Sequence, residues 1–446
     1  MLYQMIRECI RLTAYIFFRR IEVVGNEHIP MQGAVIFFGN HPNSLLDPAL
    51  MTAFAQRKVH FAAKDVLFTH PILAWVLRQM GAVPIRRAQD HTHEASHQKL
   101  DNSHAFQALQ ELLINQSAMG IFPEGISHHS TQLAKLKTGA ARIALQSIEN
   151  MDTPIYIVPC ALHYVRRKRF RTSVLIQFDT PLILDKKQSE TLDAQQVTEQ
   201  MQDILRALTV NAETWEDLAL LDTVRRLYQP PHITLAQRIT LARRFNHYYP
   251  QVKHQEDIKQ LVHDIEQYRE DLYALGLKDQ EIQGNLTTGY LWKKMSKHFM
   301  LLFIWLPLAA LGLGLHFPFA IVLARSSHWI TPRKDVLATS KFILGFLSLS
   351  TLYMSSACVA YFWWGWGYYS LFLPFLCALS GYASLKVAER GRSLWRMIWI
   401  MLRCIRSKQT LKELRQQRKA LKENVLNMVN HYLPDEIERL FYKEDG

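Results

Sequence analysis

Short apolar runs alternate with helix-periodic stretches between residues 21 and 185. The strand-like runs are IEVVG, AVIFFG, VHFAA, AVPIR, AMGIFP, IYIVPCAL and SVLIQF. The helix-like stretches between them cover residues 44–56, 70–80, 95–116 and 137–149. Such alternation is typical of an α/β domain, in which the loops that leave the strand ends carry the functional site. The pattern therefore predicts an α/β domain over residues 21–185, with a mostly parallel sheet flanked by helices.

The rest of the chain is predicted to be helical. Residues 186–298 are polar, rich in Gln, Glu, Leu and Arg, and helix-periodic. Residues 299–386 hold three apolar segments, and residues 387–446 are predicted to form a basic amphipathic helical tail. Residues 1–20 place apolar side chains at helical spacing among arginines, which is typical of an interfacial helix on anionic lipid. An amphipathic helix packed on its own domain explains that segment equally well.

Two of the apolar segments, 342–364 and 368–385, approach or exceed the roughly 20 residues that cross a bilayer. Basic residues flank the pair on its outer sides, and the turn GWG between them carries no charge. The positive-inside rule therefore predicts a transmembrane hairpin with both outer flanks in the cytoplasm. The segment 299–324 has basic flanks on both sides and contains Pro307 and Pro318. A re-entrant or interfacial hairpin fits these charges better than a membrane crossing does. A third crossing is the alternative for this segment.

Charge and cysteine usage narrow the class of partner. The formal net charge of +13 indicates an anionic partner. The basic residues cluster beside the apolar segments and no nucleic-acid motif stands out, so a phospholipid membrane is predicted and nucleic acid is not. The five cysteines are scattered and form no Cys-x-x-Cys pair, which predicts neither a disulfide framework nor a zinc ribbon.

The stretch GNHPNSLLDPAL follows the apolar run AVIFF and carries His41 and Asp47. In one continuous helix, side chains six positions apart point to separate faces. The two can meet if His41 lies on the turn after the strand and Asp47 in the first turn of a following helix. Asn43 or Ser44 is then the expected N-cap, and Pro48 is tolerated near the helix start. The spacing predicts a His–Asp pair at the end of a strand.

Three further motifs follow in the same domain. GAVPIRR ends a strand with Arg86 and Arg87, IFPEGISHHS carries Glu124 and Gly125, and IYIVPCALHY is interrupted by Pro159. Each has an ordinary explanation, namely solvated charges, a generic turn and an edge-strand proline. A glutamate directly beyond a buried strand is nevertheless unusual for a simple loop.

In this order and spacing, the four motifs resemble the glycerolipid (lysophospholipid) acyltransferase superfamily, and the matching blocks cover about residues 20–185. That family usually has four residues between its His and Asp, whereas this chain has five. The longer spacing resembles the branch of fungal glycerol-3-phosphate/dihydroxyacetone-phosphate acyltransferases, whose blocks look like NHPNQFVDP and FPEGGSHD. The continuation LAKLKTGAARIAL and the apolar segments after the domain resemble that branch as well.

The implied reaction moves an acyl group from a thioester to an alcohol. A neutral imidazole can remove the hydroxyl proton near neutral pH, so His41 is the expected base and Asp47 its orienting acid. The hydroxyl attacks the thioester directly, so no cofactor is expected beyond the co-substrate, acyl-CoA or acyl-carrier protein. A phosphorylated acceptor needs cations. The residues assigned to the acceptor and its phosphate are Arg86, Arg87, Glu124, Gly125 and Lys137, and Pro159 is assigned to the acyl chain.

The sequence thus predicts a membrane acyltransferase of phospholipid biosynthesis that acts on glycerol-3-phosphate or dihydroxyacetone phosphate. A 1-acylglycerol-3-phosphate or other lysophospholipid acyltransferase is one alternative, and a non-catalytic lipid-binding membrane adaptor is another. His128 and His129 raise the question of a metal, but adjacent histidines point apart, so solvated histidines and no metal are expected. The catalytic domain is expected on the cytoplasmic face of a membrane, in a bacterium the inner membrane.

Overall fold

The computed structural model describes residues 1–86, 102–128, 130–230, 232–283, 288–330, 336–363, 365–406 and 408–432. The chain divides into two compact units. The first comprises Met1–Glu213, Thr234–Arg243 and Thr331–Phe342, and the second comprises Thr214–Ile233, Arg244–Ile330 and Ile343–Gly446. The first unit therefore contains the predicted α/β domain together with two short segments from much later in the chain.

An eight-stranded sheet forms the centre of the first unit. Its strands are β1 (Arg20–Val24), β2 (Ala34–Gly39), β3 (Val59–Lys64), β4 (Val83–Ile85), β5 (Ala118–Ile121), β6 (Ile155–Tyr164), β7 (Ser173–Phe178) and β8 (Leu182–Leu184). Their order is β1-β7-β6-β2-β5-β3-β4, with β8 paired to β6. Strands β2 to β6 run parallel, and β7 and β8 lie antiparallel to β6. The predicted mostly parallel sheet is confirmed, and β8 is an addition.

Helices cover both faces of this sheet. They are α1 (Leu2–Phe17), α2 (Leu46–Phe54), α3 (Pro71–Gln79), α4 (Ser103–Ile114), α5 (Gly139–Ile148), α6 (Lys186–Thr191) and α7 (Ala194–Leu208). The alternation along β2 explains the layering, since Val35 and Phe37 lie in a core cluster with α1 and α2. Ile36 and Phe38 lie in a second cluster with α4, α5 and α7. Both faces of the central strand are buried, as expected for a parallel sheet between helical layers.

Helix α1 packs on its own domain with one face and leaves the other exposed. Ala14 and Phe17 are buried, and the Tyr15 ring packs edge-on against Phe54 of α2 at 6.0 Å. Met5 and Leu12 are exposed. Both explanations of this segment are therefore compatible with the packing, and lipid binding by the exposed face stays a prediction.

The interpretation of Pro159 as an edge-strand proline is wrong. Strand β6 is central, because it pairs with β2 on one side and with β7 and β8 on the other. Residues 155–157 pair with β8 and residues 160–164 pair with β7, so Pro159 lies where the neighbour changes. A missing N–H costs little at such a junction. The assignment of this buried residue to the acyl chain stays a prediction.

The second unit is helical. Its elements are α8 (Trp215–Tyr228), the later part of α9 (Leu235–Val252), α10 (Glu256–Ala274), α11 (Asp279–Gln283), α12 (Thr288–Ile330), most of α13 (Leu337–Phe362), α14 (Phe372–Arg406) and α15 (Lys408–Tyr432). The helix period over residues 186–298 thus predicts the observed secondary structure of the described part. In the described part three stretches are long and apolar enough to cross a membrane: Leu291–Ser326, Leu337–Phe362 and Gly367–Leu402.

Residues 299–324 form no hairpin, because α12 continues through both Pro307 and Pro318. A proline inside a helix removes one hydrogen bond and bends the helix, but it does not have to end it. Helix α12 packs antiparallel along α14, where Ser384 Oγ donates to the carbonyl of Ala309 at 3.1 Å. The expected re-entrant hairpin in this segment is therefore wrong.

Candidate active site

Three neighbouring strand ends bring the candidate residues together. Strand β2 lies between β6 and β5, and the three run in the same direction. His41 follows the end of β2, Glu124 follows the end of β5, and Tyr164 is the last residue of β6. Neighbouring strands are about 4.8 Å apart and carboxyl ends of parallel strands share one edge of a sheet. The topology therefore places these three residues side by side.

The predicted His41–Asp47 pair is present. His41 Nδ1 lies 2.9 Å from Asp47 Oδ2, and Asp47 is in the first turn of α2, as the spacing predicts. The Asp47 side chain is fully buried, whereas that of His41 is 14% exposed. The turn between them includes Ser44 in the left-handed region, with φ +48°. This turn accommodates the fifth intervening residue and still brings the two side chains into contact.

The expected N-cap of α2 is wrong. The helix begins after Leu45, and no side chain of residues 43–45 caps it. Instead, the N–H of Leu46 donates to Thr339 Oγ1 at 3.2 Å, and that hydroxyl donates to the carbonyl of Asn43 at 2.7 Å. The capping group thus comes from a segment about 290 residues later in the chain.

Asp47 is held by more than its histidine partner. The N–H of Asn43 donates to Asp47 Oδ2 at 2.6 Å, and the Tyr164 hydroxyl donates to Asp47 Oδ1 at 2.7 Å. Burial, with the adjacent Asp47 carboxylate, raises the pKa of Tyr164 well above its ordinary value. The phenol therefore keeps its proton for Asp47. Tyr164 is a residue that the sequence reasoning missed, although it ends the motif IYIVPCALHY.

Glu124 is buried and fixes the backbone at His41. Its Oε1 accepts from the N–H of His41 at 2.8 Å, and its Oε2 accepts from the N–H of Ala134 at 3.2 Å. His128 Nε2 also contacts Oε2, so the expectation of a solvated His128 is wrong. His129 lies outside the described residues. These contacts make Glu124 a positioning group, and its predicted contact with the acceptor stays a prediction.

The His41 ring is fixed in orientation by stacking as well as by hydrogen bonding. It lies over Phe122 with ring centroids 4.3 Å apart and planes inclined by 14°. The residue before His41, Asn40, is fixed as well, because its side chain exchanges two hydrogen bonds with the backbone of Leu162 in β6. With Nδ1 directed at Asp47, the opposite nitrogen Nε2 is the one available to accept a proton from a substrate.

Two cations lie near the candidate site, one beside the Glu124–Gly125 turn and one near the site carboxylates. Gly125 has φ +72°, and a Cβ there would lie 2.7 Å from Lys137 Nζ, so the lysine side chain passes over the glycine. Arg167, which the sequence reasoning missed, donates to the carbonyl of Ser130 at 3.4 Å. Burial lowers the pKa of Arg167, and the negative charges of Asp47 and Glu124 oppose that shift. Arg167 is therefore a desolvated cation close to both site carboxylates.

Arg86 is at the same edge of the sheet but farther away. It follows β4, which is three strands from β2, a separation of about 14 Å at ordinary strand spacing. Its side chain is exposed, and its backbone exchanges two hydrogen bonds with the Asn102 side chain. The predicted partner Arg87 lies outside the described residues. The structure thus does not bring Arg86 into contact with His41.

Two other reactive side chains of β6, Cys160 and His163, are unsuited to base or nucleophile chemistry. Cys160 is fully buried, and burial together with Asp47 raises the pKa of its thiol. His163 is buried, and burial lowers its pKa to about 3, so this imidazole stays neutral. Within the described residues, no group of three or more His, Cys, Asp or Glu side chains is arranged to hold a metal. Among these residues, His41 has the exposure and the partner that base chemistry needs.

Two family models match the chain. The model described as "Acyltransferase" matches residues 20–163, and the model described as "Glycerol-3-phosphate acyltransferase 2 C-terminal domain" matches residues 220–437. The first match contains the whole His41–Asp47 loop, Glu124 and Pro159. The second covers most of the helical region and the three apolar stretches.

Curated relatives carry the same description. Glycerol-3-phosphate O-acyltransferase 2 of Saccharomyces cerevisiae is 31% identical over 43% of this chain and 27% of its own length. Glycerol-3-phosphate O-acyltransferase 1 of the same yeast is 26% identical over 75% of this chain and 48% of its own length. The chain thus spans about half or less of the length of these two relatives. A crystal structure of the 1-acyl-sn-glycerophosphate acyltransferase PlsC from Thermotoga maritima matches 46% of this chain and 76% of that one, at 20% identity and a TM-score of 0.35.

Proposed function

Because this chain belongs to the glycerolipid acyltransferase superfamily, with its acyltransferase domain at residues 20–163, we propose that it transfers a fatty acyl group to glycerol-3-phosphate or dihydroxyacetone phosphate. The donor is an acyl thioester, either acyl-CoA or acyl-carrier protein. The observation that carries the proposal is the 2.9 Å contact between His41 Nδ1 and Asp47 Oδ2 at the carboxyl edge of the sheet. That contact prepares an imidazole to act as a general base.

In the proposed reaction, His41 Nε2 takes the proton of the acceptor hydroxyl while the oxygen attacks the thioester carbonyl carbon. The C–S bond of the resulting tetrahedral species breaks, and the sulfur leaves with the electron pair. His41 then returns its proton to the thiolate. Asp47 accepts the hydrogen bond from Nδ1–H and stabilises the imidazolium. The raised pKa of the buried Cys160 thiol supports direct attack, since that cysteine remains protonated.

The acceptor's phosphate is proposed to bind the cations around the pair. The proposed phosphate ligands are Arg167, which donates to the carbonyl of Ser130, and Lys137, which passes over Gly125. A guanidinium with five N–H donors suits a phosphate, and partial desolvation strengthens that attraction. Arg86 extends the same basic edge to a more distant part of the acceptor or donor. Both yeast relatives are glycerol-3-phosphate O-acyltransferases, which supports glycerol-3-phosphate as the acceptor.

Purified protein with a labelled acyl-CoA and a panel of acceptors tests this proposal. We expect label in acylated glycerol-3-phosphate or acylated dihydroxyacetone phosphate, and at least tenfold less in products of lysophosphatidate and lysophosphatidylcholine. If label appeared only in products of lysophosphatidate, the proposed acceptor would be wrong, whereas the proposed acyl transfer would stand. A chain that transfers no label to any acceptor, from acyl-CoA or acyl-carrier protein, contradicts the proposal.

The membrane arrangement is proposed from where the apolar helices begin and end. In the described part of the chain no candidate span precedes Leu291, and α13 begins inside the first unit, where Phe342 is buried. Helix α12 packs antiparallel along α14, so α12 is proposed to lie within the membrane beside α14. The acyltransferase domain is proposed to lie on the cytoplasmic side.

The helices that follow are proposed to form the predicted hairpin. Within the second unit, Arg396 binds Glu281 at 2.7 Å and Arg418 binds Asp279 at 2.8 Å. These ion pairs join the chain after the hairpin to the chain before α12.

Cysteine labelling tests this arrangement. In sealed vesicles with the acyltransferase domain outside, we expect a membrane-impermeant maleimide to label the loop control Glu27→Cys. We expect Tyr368→Cys, between α13 and α14, to react only after permeabilisation. The native cysteines Cys9, Cys358 and Cys404 are replaced in the parent for both variants. Labelling of Tyr368→Cys before permeabilisation would contradict the proposed hairpin.

A further inference from the structure

We propose that Thr339 is a positioning residue for the catalytic pair, an inference that rests on the proposed function. Its side chain is buried in the first unit, at the first turn of α13. The hydroxyl donates to the carbonyl of Asn43 at 2.7 Å and accepts from the N–H of Leu46 at 3.2 Å. Both backbone groups belong to the turn that separates His41 from Asp47.

The turn needs such support because of its backbone conformation. Ser44 has φ +48°, a region that residues other than glycine adopt at a cost in free energy. Within the turn, the N–H of Leu46 also donates to the carbonyl of Asn43 at 3.1 Å. The Thr339 hydroxyl therefore bridges the two ends of an existing turn and favours its closed form.

The bridge acts on Asp47 through the Asn43 peptide. The N–H of Asn43 donates to Asp47 Oδ2, the same oxygen that contacts His41 Nδ1. The carbonyl of Asn43 accepts a hydrogen bond from Thr339. Both backbone polar groups of Asn43 are therefore fixed by hydrogen bonds. Loss of the hydroxyl frees the turn to move and so changes the distance between the imidazole and the carboxylate.

The segment that supplies Thr339 is well anchored. Ala338 and Phe342 lie in the same core cluster as Leu46, and the Phe342 ring packs against Phe17 with centroids 5.6 Å apart. Lys341 Nζ donates to the carbonyl of Lys168 at 3.4 Å. The first residues of α13 therefore pack in the core of the acyltransferase domain, and the Thr339 hydroxyl contacts the turn between His41 and Asp47.

Thr339→Val isolates this hydroxyl, because valine keeps the shape and removes both hydrogen bonds. In full-length protein in lipid vesicles we expect kcat for acyl transfer to fall about tenfold, with KM for the acceptor changed less than twofold. Thr339→Ser is expected to restore kcat to within twofold of the parent. The matched control is Ser340→Ala, since Ser340 is the buried neighbour and its hydroxyl forms no hydrogen bond with residues 40–47 among the described residues.

Two readouts separate positioning from general destabilisation. In an Asp47→Asn background, Thr339→Val should lower the remaining activity by less than twofold, because the geometry that it controls is already lost. Hydrogen exchange in peptides covering residues 43–54 should be faster in Thr339→Val than in the parent, while exchange over β6 stays the same.

The outcomes are decisive in either direction. Unchanged kcat in Thr339→Val, a Thr339→Ser variant as slow as Thr339→Val, or a full tenfold loss in the Asp47→Asn background would each overturn the proposal. A Thr339→Val protein that loses activity only together with its cooperative melting transition would overturn it as well. If the parent protein shows no acyl transfer, the proposed function is contradicted instead. The hydrogen-exchange comparison then still tests whether the Thr339 hydroxyl supports the turn at residues 43–46.

Discussion

Replacing His41 by alanine is expected to lower acyl transfer by about 10²–10⁴-fold, the range typical of the loss of a general base. The reason is that His41 Nε2 is proposed to take the proton of the attacking hydroxyl, while Nδ1 is bound to Asp47 at 2.9 Å. The measurement is transfer of labelled acyl groups to glycerol-3-phosphate in isolated membranes that contain equal amounts of each variant.

The matched control for this variant is His104→Ala. His104 is exposed on α4, so the same chemical change there is expected to leave activity within twofold of the parent. A melting curve of each variant guards against loss of the fold, because the His41 ring also stacks on Phe122. Parental activity in His41→Ala would contradict the assignment of His41 as the general base.

Asp47→Asn is expected to lower kcat by about 10²–10⁴-fold, because an amide cannot stabilise the imidazolium or hold the correct tautomer. The side chain keeps its shape, so the loss reports on charge and hydrogen bonding more than on packing. Asp47 also accepts hydrogen bonds from Asn43 and Tyr164, and the amide nitrogen of asparagine cannot accept either of them. Steady-state kinetics should therefore assign the loss to kcat, with a smaller change in KM.

Tyr164→Phe provides the graded comparison. It removes one hydrogen bond to Asp47 and keeps the His41 contact, so we expect a loss of about three- to tenfold, which corresponds to the ~0.5–1.5 kcal/mol net contribution of a typical hydrogen bond. An Asp47→Asn variant with less loss than Tyr164→Phe would contradict the role given to the carboxylate.

Local patterns in the sequence predicted much of the fold. Runs such as AVIFFG predict buried strands because apolar and β-branched side chains on both faces suit a sheet between helical layers. The order of the strands is set by contacts between distant segments, so the sequence did not reveal that β6 is central. That is why the ordinary explanation of Pro159 as an edge-strand proline is wrong. A break was likewise expected at the prolines of α12, but neighbouring helices and local backbone adjustments can keep an apolar helix intact past a proline.

The site was predictable where its residues carry a local signal. His41 and Glu124 closely follow apolar strands, and Asp47 follows His41 within one short motif. Tyr164 and Arg167 gave no such signal, because a tyrosine at a strand end and an arginine in the basic run RRKR are ordinary residues. Thr339 could not be predicted, since its contact with Leu46 joins positions about 290 residues apart.

One measurement tests the central claim most directly. Purified parent and His41→Ala protein, in vesicles of one lipid composition, are given labelled acyl-CoA or acyl-carrier protein and glycerol-3-phosphate, and the product is identified by mass. We expect the parent to form acylglycerol-3-phosphate and His41→Ala to form it at least 100-fold more slowly. Equal rates in the two proteins, or no acylated glycerol-3-phosphate from the parent with either donor, would contradict the account.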